Sequence, residues 1–210
     1  METFYINEEF DFEKLRRYQN KDKTFKIIIN KDIDFKFKFI PLNTFEEYTI
    51  YIDGKNHTLS NINISVINEK VGIFTRVNNL YVNNLIINNS HLYGGVLSGI
   101  ICGDVEHETK LNNITLDNVV VSSEAYGGGA VGYSDKLTIE DSFIRTEVHG
   151  YDVVGGVAGM ANDYTEKNSN IKSTLLAIGK AVDNSVGYSD HKSINPIERK
   201  RRPFRGFHLL

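Results

Sequence analysis

Asp135, Asp163 and Asp190 each follow a glycine-containing step in this 210-residue chain, at nearly regular spacing. Carboxylates that face one groove about 5 to 10 Å apart, with one pKa raised, are the machinery of glycoside hydrolysis. If the chain stacks in repeats, adjacent repeats bring Asp135 near Asp163 and Asp163 near Asp190, and a polysaccharide-active hydrolase or lyase is one reading. The plainer reading is a set of solvated turn residues. The region is too poor in Lys and Arg to hold an acidic sugar or to supply a lyase's strong base, so no catalytic residue is assigned. Cys102, Asp104 and His107 form a C-x-D-x-x-H group, and His149 with Asp152 a smaller one. Neither supplies four converging ligands, and the aspartates are too dispersed for a calcium loop. Neither a metal nor any other cofactor is expected. Cys102 is the single cysteine and cannot form an internal disulfide; beside Ile101 it reads as a buried, inert thiol.

Charge is the next source of chemistry. The formal net charge is only -3, yet its distribution along the chain is uneven. Residues 97–170 hold four Lys or Arg against twelve Asp or Glu, a net of -8, and residues 171–210 hold eight against three, a net of +5. The twelve acids are Asp104, Glu106, Glu108, Asp117, Glu124, Asp135, Glu140, Asp141, Glu147, Asp152, Asp163 and Glu166. Carried outward on one face, they match a basic protein, such as a nucleic-acid-binding enzyme. They do not match nucleic acid itself, whose phosphates need Lys and Arg to displace counterions. Only the tail PIERKRRPFRGFHLL could touch nucleic acid directly, through Arg199, Lys200, Arg201, Arg202 and Arg205 among Phe204 and Phe207. Its other reading is a cap in which Phe204, Phe207 and Leu209 close the end of the fold while the arginines stay in water.

The elements that must position these groups are mostly strands. Around Glu8 to Asn20, Phe12, Leu15 and Tyr18 recur every three residues, with acids early and Arg16 and Arg17 late, which predicts a short amphipathic helix over about 8–20. Short runs rich in Ile, Val, Phe and Tyr follow, from TFKIIIN to NIKSTLLAIG, separated by Asn, Gly and Asp. GYSD occurs at Gly132–Asp135 and Gly187–Asp190, with Gly159 between them, giving steps of 27 and 28 residues. The pairs Gly94-Gly95, Gly127-Gly128 and Gly155-Gly156 each precede a further glycine, in GGVLSG, GGGAVG and GGVAG. A strand repeat of this length without helices predicts a β-solenoid, in which each coil buries its inner side chains by stacking on its neighbours. Gly95, Gly99, Gly128, Gly132, Gly156 and Gly159 read as structural, at positions needing positive φ or close approach between coils. GGVLSG is no phosphate cradle, since no Lys-Ser/Thr and no helix follow it. The pairs Asn78-Asn79, Asn83-Asn84, Asn88-Asn89 and Asn112-Asn113 are expected at strand ends, with amides bonding from coil to coil. No strand carries the ranks of alternate Thr that a flat ice-binding face needs.

The string IDGKNHTLSNINI at Ile52–Ile64, followed by VGIFTRVNNLYVNNLIINNSHLYGGVLSGIICG at Val71–Gly103, resembles β-helical proteins with the GLUG motif. Their pattern runs from an "fdGnghtIsnl" coil through "vGLFg" and "I.nl.l.n..v" to "vGGLvG", and the likeness extends from about Phe4 to about Tyr188. It implies an all-β, single-stranded right-handed parallel β-helix with a short N-terminal helical cap. It also implies an adhesive role at a bacterial surface, toward glycan or host protein. The expected organisation is an N-terminal cap over 1–30, β-helix coils over 31–195 and a basic cap or tail over 196–210.

Three functions are therefore in play. The first is a non-enzymatic protein-binding solenoid with an acidic face, of the kind a phage or mobile element could use to inhibit a host nucleic-acid-binding defence enzyme, as anti-CRISPR proteins do. The second is a piece of a surface adhesin, and the third a polysaccharide-active enzyme. The opening METFYINEEFDFEKLRRYQ has neither a secretory h-region nor a membrane span. The expectation is a cytoplasmic protein without membrane contact, or an extracellular one if the chain is trimmed.

Overall fold

Strict alternation sets the architecture: in Thr24–Ile29, Phe25, Ile27 and Ile29 are buried while Thr24, Lys26 and Ile28 are not. A period of two with one apolar face calls for a sheet whose inner face is covered. Here successive coils of one chain supply both the sheet and its cover. The computed structural model describes residues 1–18, 22–43, 45–67, 69–178 and 181–195, and these form a β-solenoid of about six turns with one short helix at the N-terminal end. The strand pairs between named strands are all parallel, in three sheets.

Sheet A runs from Glu2–Ile6 through Thr24–Ile29, Thr49–Asp53, Asn79–Asn83, Cys102–Asn112, Val131–Glu140 and Ala158–Lys167 to Val186–Tyr188 and His191–Asn195. Sheet B runs from Ile33–Asp34 through Thr58–Ser60, Ile86–Tyr93, Thr115–Ser122 and Phe143–Gly150 to Asn170–Ala177. Sheet C contains the shortest strands, Lys70–Val71, Leu97–Ser98, Tyr126–Gly128, Val153–Gly155 and Ala181–Asp183. Inside, Phe25, Ile50, Leu80, Thr109, Leu137 and Tyr164 stack in one column, each at most 2% exposed. A second column, Ile27–Ile52–Val82–Leu111–Ile139, passes to Glu166 and on to Ile194.

The helix covers Glu9–Arg16, shorter than the sequence pattern suggests, and lies over the N-terminal end of the stack. Its Phe12 and Leu15 are buried, with Phe12 edge-on to Phe35 and Phe39 at 5.4 and 5.5 Å. Asp11 starts it by accepting the backbone N–H groups of Asn7 and Glu8, donors that a first turn otherwise leaves unpaired. The Glu2–Ile6 strand pairs with Thr24–Ile29 and completes this closure.

Two devices turn the corners, and they divide the work differently from the sequence expectation. None of the described glycines has a positive φ. The left-handed positions between sheets A and B are taken by Asn56, Asn84, Asn113, Asp141 and Asn168, with φ of 61, 53, 50, 50 and 47°. Asn113 donates to Asn84 Oδ1 at 2.7 Å and to Asn56 Oδ1 at 3.3 Å, so the expected amide ladder exists. A second rung pair, Asn118 to Asn89 at 2.8 Å, lies within sheet B. Asn78-Asn79 does not join a ladder of this kind: Asn79 donates to Thr49 Oγ1.

The glycines instead allow close approach. The strand register aligns Gly72, Gly99, Gly128 and Gly155 in one column, and Gly103, Gly132, Gly159 and Gly187 in another. This corrects the alignment read from the motifs, since Gly99 belongs with Gly128 rather than with Gly132, and the Gly94-Gly95 pair lies outside both columns. A Cβ on Gly128 would sit 1.9 Å from Val131 O and 2.6 Å from Ala158 Cα.

Candidate interaction surface

The coils distribute the twelve acids of residues 97–170 over three outer faces and the interior rather than along one face. Asp104 is 7% exposed and ion-paired with Lys70 at 3.0 Å and Arg76 at 3.4 Å. Glu106 pairs with Arg76, Glu108 with Lys110 and Lys136, Asp117 with Arg145, Glu140 with Lys167 and Glu147 with His149. Burial works against the charge of Glu108, but hydrogen bonds from Lys110, Tyr81 and Lys136 outweigh it and hold its pKa below the ordinary value. Burial, then the bond to Glu108, pushes the Tyr81 phenol up to about 12.

Glu166 contradicts its expected place on an outer face. It follows inward Tyr164 by two residues, so the same alternation turns it into the interior, where it is 7% exposed and accepts from Tyr164 Oη at 3.0 Å and Ser185 Oγ at 2.6 Å. It cannot meet a partner there. Five acids remain exposed with no ion pair among the described residues: Glu124, Asp135, Asp141, Asp152 and Asp163.

The aspartates considered for hydrolysis are out of the expected register by one residue. Asp163 aligns with Lys136 and His191, which leaves Asp135 and Asp190 on either side of Asn162, and Asn162 donates to Asp135 at 2.7 Å. All three aspartates lie on the open outer face of sheet A, where no two of them are adjacent partners. Cys102 is fully buried, its thiol donates to Asp104 O at 3.2 Å, and burial pushes its pKa well up. A thiolate is the reactive form, so this cysteine is inert. No group of three or more His, Cys, Asp or Glu among the described residues could hold a metal. The five basic residues Arg199, Lys200, Arg201, Arg202 and Arg205 lie outside the described residues.

A different surface stands out where sheet B turns into sheet C. The outward column of sheet C reads Lys70, Leu97, Tyr126 and Val153. The last outward column of sheet B reads Ser65, Tyr93, Ser122, His149 and Leu176. Between them the corner carries Tyr151 and, at the ends, Ile67 and Ile178. Tyr93 is 60% exposed, Tyr151 59%, Leu176 63% and Ile178 80%. Glu124 and Asp152 lie in this same corner, their backbones bonded to Gly95 O and Ala125 O. The result is an apolar, tyrosine-rich ridge over several coils, with two unpaired carboxylates set into it. At about 4.8 Å per coil, it runs for roughly 20 Å.

Sequence reading found Glu124 and Asp152 but missed the ridge. Its strands are two or three residues long and sit inside glycine runs that read as turns, and the exposed side chains come from five separate coils. The signal was present in the apolar residues flanking each glycine run, such as Tyr93 and Leu97 around GGV and Tyr126 before GGG.

Comparison of the chain with models of known protein families, with curated proteins and with solved structures finds no match in any of the three. No helix among the described residues is long and apolar enough to cross a membrane.

Proposed function

We propose that this protein is a non-enzymatic binding scaffold whose partner is a basic protein that docks on the ridge between sheets B and C. The observation that supports this reading is the array of exposed Tyr93, Tyr151, Leu176 and Ile178 beside Leu97, Tyr126 and Val153, with Glu124 and Asp152 unpaired among them. Contiguous exposed apolar surface is costly unless a partner covers it. Tyrosine is enriched where binding energy concentrates, because it buries a large rigid area and keeps a polar tip. Unpaired acids within such a patch select a partner carrying Lys or Arg, which suits the surface of a nucleic-acid-binding enzyme and hence its inhibition. The likeness to GLUG-motif solenoids fits a scaffold of this kind, in which the coils provide rigidity and an outer face provides recognition.

Affinity capture with immobilised protein tests the reading. A Tyr126→Ala/Tyr151→Ala variant and a Glu124→Lys/Asp152→Lys variant should each lose the protein captured by the native chain, while Asp135→Lys/Asp163→Lys on sheet A should retain it. Loss with the sheet A variant and retention with both ridge variants would overturn the assignment. A second reading, glycan binding, draws on an open cavity of about 330 Å³ beside Tyr51, lined also by Lys26, Asp53, Asn83 and Asn84. Binding on a glycan array that disappears in Tyr51→Ala would favour it.

A further inference from the structure

At the N-terminal end two segments face each other and leave a groove between them. Glu9, Phe12, Glu13 and Arg16 recur every three or four residues along the helix and so share one of its sides. Opposite them runs the segment from Phe35 to Ile40. The open cavity between the two measures about 500 Å³, within the range of small-molecule sites. Its floor is aromatic: Phe12 and Phe35 are buried, and Phe39 lies edge-on to them at 5.5 and 5.1 Å. Its lips are Phe10, 57% exposed, and Ile40, 62% exposed. None of the ridge residues lines it, so the site stands apart from the partner surface proposed above.

The groove is braced on both sides. Arg16, the last residue of the helix, donates to Glu13 on its own element and to Ile40 O across the gap. Its Nε has no hydrogen-bond partner among the described residues, so the guanidinium keeps unmet donor capacity. On the other side Lys36 and Phe37 both have left-handed backbones, with φ of 51 and 63°, a costly conformation for a side chain as bulky as phenylalanine. Three backbone donors hold this turn: Lys36 bonds to Asp34 Oδ1 at 2.8 Å, Phe37 to Asn61 O at 2.8 Å and Lys38 to Phe35 O at 2.9 Å. Strained backbone held by its surroundings in this way is characteristic of ligand clamps.

Charge decides what kind of ligand fits. Lys36 and Lys38 line the cavity, are exposed, and make no ion pair among the described residues. With Arg16 they set three cations against two acids, Glu9 and Glu13, and Glu13 is already engaged by Arg16. We propose that this groove binds a small amphipathic carboxylate, such as a medium-chain fatty acid. Its apolar chain covers Phe39 between Phe10 and Ile40, and its acid head meets Lys36 and Lys38. A sugar phosphate would leave the apolar lips in water, and a neutral hydrocarbon would forgo charge-assisted bonds to the lysines.

Titration of the isotope-labelled full chain with sodium decanoate, and with decanol as the neutral probe, tests the inference by amide chemical shifts. Decanoate should saturate a single site below about 1 mM, shift amides of residues 9–16 and 35–40, and bind at least tenfold more tightly than decanol. Lys36→Gln/Lys38→Gln should weaken decanoate by about tenfold and leave decanol unchanged. Phe10→Ser, at another exposed position, should weaken both. Equal affinity for the two probes, decanoate shifts that fall on the ridge instead, or decanoate affinity unchanged in both variants overturns the inference. So does capture of the protein by phosphatidylglycerol vesicles without any binding of decanoate, which would give the patch to a membrane surface.

Discussion

Asn113 holds two roles that no other residue type fills together. Its φ of 50° is left-handed, and its amide bridges to Asn84 one coil away. Alanine removes the amide and pays for the backbone, so Asn113→Ala should lower stability by about 2 kcal/mol, from a left-handed penalty of about 1 and a hydrogen bond of about 1. Glycine removes the first cost and keeps the second, and Asn113→Gly should lose roughly half as much; urea midpoints of the two variants measure the split. Glu108 carries the clearest pH dependence. Its folded pKa lies below the ordinary 4.5 because of Lys110, Tyr81 and Lys136. A depressed carboxylate contributes stability that is complete above pH 4.5 and is lost as pH falls through the lower folded value. Glu108→Gln should therefore cost stability at pH 7 and cost progressively less as pH falls below 4.5, as thermal melts at neutral and acid pH will show.

At the scale of the element, the glycine columns leave the least freedom. A methyl group at Gly128 collides with Val131 O and the Ala158 backbone, atoms of the chain itself that no side-chain rotation can clear. Gly128→Ala should cost more than 3 kcal/mol or abolish folding, as overpacking against immovable backbone does, and circular dichroism melts will show it. The strands and the repeat were legible in the sequence because alternation and period survive in one dimension: Phe25, Ile27 and Ile29 announce their face, and GYSD announces its return. The register was not. Gly99 follows Gly94-Gly95 much as Gly132 follows Gly127-Gly128, yet stacks in a different column, because sheets A and C accommodate their corners with unequal numbers of residues. The same one-residue ambiguity placed Asp163 beside Asp135, and counted Glu166 with the outward acids although two-residue alternation from buried Tyr164 turns it inward. Which of the acids find Lys or Arg was equally invisible, since pairs such as Glu108 with Lys136 and Asp117 with Arg145 join neighbouring coils 28 residues apart.

For the whole molecule, rigidity and recognition are separable. Tyr151 is exposed and Tyr126 is half-buried on the outer face, so Tyr126→Ala/Tyr151→Ala should leave the melting temperature within a few degrees, surface changes being worth about 0.5 kcal/mol each. The same variant should weaken partner binding by at least about tenfold, the loss expected when a central aromatic contact is removed. Binding that rests partly on Glu124 and Asp152 should also weaken as salt rises from about 0.05 to 0.5 M, over which the Debye length falls well below 10 Å; titration by calorimetry at both salt levels reads this. The coil repeat gives the ridge a further property. Each coil advances the surface by one strand spacing and contacts its two neighbours, so the chain works as a ruler marked in units of about 4.8 Å. Removing residues 131–157, one complete coil between equivalent positions Val131 and Ala158, shortens the ruler by one mark and brings Tyr126 next to Ala181, the continuation of the deleted Val153. A partner whose contacts are spaced along the axis can thus be matched or lost by the number of coils alone, without changing the chemistry of any one of them.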